Sequence, residues 1–81
     1  MNIYRTRFFS KCPVNGVRVE YTLEITTGDV IKVEDILDAV DQYPCNFHED
    51  IAASLSFRLP GKQVLKAFHH EVEIETQRSG R

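Results

Sequence analysis

From Val17 to Thr26 the chain alternates without a break: Val17, Val19, Tyr21, Leu23 and Ile25 fall on one side, and Arg18, Glu20, Thr22, Glu24 and Thr26 on the other. A period of two predicts a β-strand with one packed and one wetted face. The preceding stretch "IYRTRFF" sets Ile3, Arg5 and Arg7 against Tyr4, Thr6 and Phe8, and "CPVNG" then supplies turn residues at Pro13, Asn15 and Gly16. After "TTGD" the period changes. Val33, Ile36, Leu37 and Val40 recur at helical spacing in "VEDILDAVDQY", which "PCN" stops. A second helix follows Asn46 in "FHEDIAASLSFRL", with Ile51, Ala52, Leu55 and Leu59 on one side and "PG" closing it. The last stretch, "KQVLKAFHHEVEIETQR", alternates again but is long for one strand in so small a chain. A reversal near His69 and His70 therefore divides it into two antiparallel strands, although neither Gly nor Pro is there to make the turn. The expected order is β-β-α-α-β-β. This is an α+β layer, a four-stranded antiparallel sheet with two helices on its apolar face and a polar face left free.

At 81 residues the chain makes a single domain, with the polar "QRSGR" at residues 77–81 as its loose tail. So short a domain buries only about 60% of the surface its unfolded chain exposes. Homo-oligomerisation is therefore expected, and joining sheet edges between subunits into a β-barrel removes two open edges at once. The net charge of -2 lacks the dense basic field that phosphate backbones require, so direct nucleic-acid binding is disfavoured. No apolar run approaches a membrane span and the start resembles no signal peptide, so a cytoplasmic chain is expected, with Cys12 and Cys45 as free thiols.

The candidate chemistry clusters around "NFHEDI" at Asn46–Ile51. Read locally, Asn46 and Glu49 form a capping box, Phe47 staples the helix entry to the core, and His48 packs a helix start against a strand. A ligand-holding role for Phe47, His48 and Glu49 is the alternative. Cys12, Cys45, His48, His69 and His70 are suitable zinc ligands by type, but their spacing matches no compact zinc motif. The run Glu71, Glu73 and Glu75 reads as one solvated strand face.

This element order, together with "FFSKCPVNG" and "FHEDIA", resembles the tunnelling-fold (T-fold) superfamily. The likeness is greatest to 7-cyano-7-deazaguanine reductase (QueF) and the QueF-like, amidine-forming relatives. It runs from about Tyr4 to Thr76, with Cys12-Pro13 matching a Cys-Pro pair after the first strand and Phe47-His48-Glu49 matching a Phe-His-Glu stretch at the second helix. The resemblance implies barrels of subunits with sites at their interfaces. It further implies that Glu49 anchors a purine-like or pterin-like ring, with Phe47 beside it, and that Cys12 adds to a substrate nitrile to give a thioimide with His48 at the site. A carboxylate suits the anchor role, because it accepts two parallel N–H bonds from a guanine-type edge. The family's proton-donating aspartate falls on Val19 here, so Glu20 serves only if the strand changes register. The Ser- and Lys-containing motif associated with NADPH is unmatched, and Glu34, Asp35, Asp38 and Asp41 would repel such a cofactor. Two alternatives stand beside a nitrile-processing enzyme: a T-fold that binds a purine or pterin without catalysis, and a metal-dependent cyclohydrolase acting on GTP.

Overall fold

Burial of alternate residues organises the structure, a computed structural model that describes all 81 residues. Strands β1 (Asn2–Lys11) and β2 (Arg18–Thr27) form a hairpin, helices α1 (Val33–Val40) and α2 (His48–Arg58) follow, and β3 (Lys62–His69) and β4 (Val72–Ser79) form a second hairpin. The sheet order is β1-β2-β3-β4, antiparallel throughout, with Phe8 opposite Tyr21, Leu23 opposite Leu65 and Ala67 opposite Ile74. Val19, Tyr21, Leu23 and Ile25 share one buried cluster with Ile36, Ala39, Val40, Ile51, Ala52, Leu55 and Leu59, so both helices cover the same sheet face. The other face is wet. It carries the Arg5–Glu24 ion pair at 2.8 Å, the Lys66–Glu75 pair at 3.6 Å, and Arg18 stacked 3.6 Å above the Phe9 ring. No helix is long and apolar enough to cross a membrane.

Several local expectations are corrected. In α1 the buried stripe is Ile36, Ala39 and Val40, whereas Val33 and Leu37 are more than half exposed. The helix stops at Val40, well before Pro44, and an eight-residue helix on a sheet has only a narrow contact line. Asn46 does not cap α2. Phe47 occupies the cap position with extended backbone and no side-chain cap bond, and its carbonyl accepts the first helical hydrogen bond, from Ile51 at 3.0 Å. Nor does Phe47 staple the entry, since it is 52% exposed.

The tail is ordered. Residues Gln77–Ser79 belong to β4, the Gly80 amide donates to the Gly61 carbonyl at 2.6 Å, and Arg81 donates through Nε to the Arg58 carbonyl at 3.1 Å. Basic groups and amides at that point satisfy carbonyls that the end of α2 leaves free. Buried Gln63 does the same from β3, where its Nε2 donates to the carbonyls of Leu55 at 3.2 Å and Leu59 at 2.8 Å. The reversal expected near His69 and His70 is present one residue on. His70 and Glu71 connect β3 to β4 with φ of +51° and +68°, the left-handed pair that a two-residue hairpin needs.

Candidate ligand pocket

The strand ends that meet beneath the start of α2 enclose a partly open cavity of about 160 Å³. Its walls come from every layer of the fold: Cys12 and Pro13 after β1, Val19 and Tyr21 on β2, Phe47 and His48 at α2, His69 on β3 and Ile74 on β4. Apolar groups dominate, and a dry apolar cavity of roughly 150 Å³ is large enough to hold one benzene ring. A wider groove of about 760 Å³ between α1 and the end of α2 carries Lys32, Asp35, Asp38, Arg58 and Arg81, with no cysteine or histidine.

Several bonds hold the pocket in shape. The amide of Cys12 donates to Val17 at 2.8 Å and the amide of Gly16 to the Cys12 carbonyl at 2.8 Å, which close the "CPVNG" loop. The Lys11 amide donates to the Pro44 carbonyl at 3.0 Å, and the Asn46 amide to buried Ser10 Oγ at 3.2 Å, so the strand that ends at Cys12 also fixes the approach to α2. Tyr43 adds a bond from its hydroxyl to Ser54 Oγ at 2.7 Å. On the far side, Asn15 Nδ2 lies 3.0 Å from His70 Nε2 and ties the same loop to the β3–β4 tip.

His48 is the centre of the polar chemistry. Its ring packs 5.5 Å from that of Tyr21, its Nε2 lies 2.8 Å from Thr76 Oγ1, and its Nδ1 is buried with no partner. Burial lowers its pKa, and the nearby Glu49 carboxylate only partly opposes that shift, so the imidazole is neutral at pH 7. The Tyr21 phenol is shifted upward, chiefly by burial and further by the charge of Cys12, and stays protonated. A second orphan, His69 Nε2, belongs to the same pocket wall. Two residues that line one cavity thus each carry a buried imidazole nitrogen without a partner, an arrangement that costs free energy while the nitrogens stay unmet.

Cys12, His48 and Phe47 thus meet, although the sequence separates Cys12 from the other two. Glu49 does not line the cavity. It is exposed beside β4, where Thr76 Oγ1 donates to its Oε1 at 3.4 Å and Arg78 approaches its Oε2 at 3.8 Å. Glu20 is excluded from the pocket: β2 keeps its register opposite Phe9, Val19 faces the cavity, and Glu20 points to the wet side. Cys45 is an exposed loop residue with a free thiol, and its backbone forms an isolated parallel β-bridge with Lys11. Within one chain no three of the cysteines, histidines and acids come together as a metal-holding group.

Tyr21, Thr76 and Arg78 are the site residues that sequence reading missed, whereas His69 was named there only as a zinc ligand by type. Tyr21 was hidden among apolar neighbours of equal spacing. Thr76 and Arg78 acquire a face only once the hairpin turn is placed. No known protein-family model, curated protein or solved structure matches the chain.

Proposed function

We propose that this is a T-fold protein that binds a purine-type ring in the Cys12–His48 pocket and captures the nitrile carbon of 7-cyano-7-deazaguanine, or of a related 7-deazapurine, on Cys12. The observation that carries the reading is one apolar cavity whose wall joins a thiol to a neutral histidine with an unmet ring nitrogen. In the addition step the Cys12 Sγ–C bond forms as one nitrile π bond opens. The thiol proton passes by way of His48 to the nitrile nitrogen, which leaves a thioimide and needs no oxidant or reductant.

A purine is larger than the ring that about 160 Å³ accommodates, so part of it extends beyond the monomer's pocket. A neighbouring subunit supplies the missing wall in this reading. Strand β1 carries Arg5, Arg7 and Lys11 and no acid, while β4 carries Glu73 and Glu75 against the single Arg78, so the opposite net charges of these two edges favour head-to-tail pairing into a barrel. Exposed Glu49, beside β4, would then anchor the ring across that interface.

Incubation with 7-cyano-7-deazaguanine followed by intact-protein mass spectrometry tests the proposal. An adduct of the ligand's mass, lost in Cys12→Ala, is expected; no adduct and no binding at millimolar ligand would end it. The position of Val19 favours a second reading, a binding protein without turnover, because no acid faces the thiol. Under it, Cys12→Ala keeps the ligand affinity of the original chain.

A further inference from the structure

The contacts around Thr76 bear on which nitrogen of His48 holds the proton. A threonine hydroxyl has one hydrogen to give, and a carboxylate can only accept. Thr76 Oγ1 touches both Glu49 Oε1, at 3.4 Å, and His48 Nε2, at 2.8 Å. Both contacts are hydrogen bonds at once in only one arrangement: the hydroxyl donates to Glu49 and accepts from an Nε2–H. The opposite assignment turns the Thr76 hydrogen away from a charged acceptor and leaves an Nδ1–H donor buried without a partner, the rarer and costlier kind of orphan. Arg78 completes the row by approaching the second oxygen of Glu49 at 3.8 Å.

We propose that Thr76 is a positioning residue which, oriented by Glu49 and Arg78, holds His48 as the Nε2–H tautomer and so makes Nδ1 the acceptor nitrogen of the pocket. Glu49 consequently acts on the chemistry through two intervening groups as well as through any ring it meets at an interface. Resting on the proposed nitrile chemistry, the inference leaves Nδ1, which makes no hydrogen bond to the Cys12 thiol, as the one His48 ring nitrogen free to accept a proton. The tautomer itself is independent of ligand.

The test uses protein labelled with ¹⁵N at its three histidines, whose ring nitrogens are resolved by long-range ¹H–¹⁵N correlation at pH 7 and assigned to His48 by its loss in His48→Gln. The expected result is a protonated Nε2 and an unprotonated Nδ1. Thr76→Val keeps a β-branched side chain on the strand but removes the hydroxyl, and should move His48 to a mixture of tautomers, while Thr76→Ser restores the single form. With 7-cyano-7-deazaguanine, Thr76→Val should slow adduct formation on the order of 10- to 100-fold, by analogy with the loss found when a group that orients a metal-bound histidine is removed. An Nδ1–H tautomer or an imidazolium in the original chain overturns the proposal, as does a pattern unchanged in Thr76→Val. If the tautomer is found and no adduct forms, the positioning role stands and the nitrile chemistry falls.

Discussion

Replacing Gln63 with methionine isolates the device that closes α2 onto the sheet. The buried Gln63 amide donates to two carbonyls at the end of that helix, and their situations differ. The Leu55 carbonyl also accepts the Leu59 amide at 3.0 Å, so it loses one bond of two, or about 0.5–1.5 kcal/mol. The Leu59 carbonyl belongs to a residue only 3% exposed, and losing its donor costs about 1–3 kcal/mol. Methionine has similar length and offsets part of this by burying an apolar end, which leaves about 2–3 kcal/mol of destabilisation. For a domain of this size that lowers Tm by roughly 10–20 °C. Urea unfolding followed by circular dichroism reads it, with an unchanged m-value showing that the unfolded state is not the cause. Gln63→Glu should lose more at pH 7, because a carboxylate would face both carbonyls with nothing to donate. A loss below about 1 kcal/mol for methionine would refute the reasoning and mean that water or backbone adjustment satisfies the Leu59 carbonyl.

Gly61 adopts φ of +91° and a Cβ there would sit 2.8 Å from the Thr26 carbonyl oxygen, so Gly61→Ala should destabilise by about 2 kcal/mol or more in the same urea assay. Burial holds the folded pKa of His48 below its unfolded value of about 6.5, with the Glu49 carboxylate partly opposing the shift. The folded state therefore resists a proton that the unfolded state accepts. Stability should be full above about pH 6.5 and decline as pH falls through the folded value, by at most about 1.4 kcal/mol per pH unit from this group, and denaturation at stepped pH should show that slope reduced in His48→Gln. Phe47→Ala should change stability by less than about 1 kcal/mol, since the ring is 52% exposed, yet weaken purine-type ligands measurably by calorimetry because the ring lines the pocket. Glu24→Gln should be nearly neutral in thermal unfolding, within about 1 kcal/mol, because its pair with Arg5 is solvent-exposed.

The alternation in β2 and the spacing of Ile51, Ala52, Leu55 and Leu59 are strong periodic signals, and both correspond to real faces of the structure. They carry the layer order with them. The start of α2 was less legible, because Asn46 and Glu49 at capping-box spacing describe a local preference that tertiary contacts override. Ser10 takes the Asn46 amide, and Thr76 with Arg78 draws Glu49 toward β4. Neither partner is near in sequence. The same holds for the pocket, where Cys12 and His48 become neighbours only through the pairing of β1 with β2 and the seat of α2 above them. Val33 and Leu37 misled for a different reason: an eight-residue helix offers more apolar positions than its contact line uses.

The turn at His70 and Glu71 puts local preference and global fold at odds, in that two residues with side chains hold a conformation that asparagine and glycine adopt readily. Exchanging them for Asn-Gly should relieve about 1–2 kcal/mol and remove the bond between His70 and Asn15. That bond is the brace between the hairpin and the loop that carries Cys12. A search for thermostable variants would therefore be drawn to this tip first, and would select hardier proteins whose cysteine loop has lost its tether.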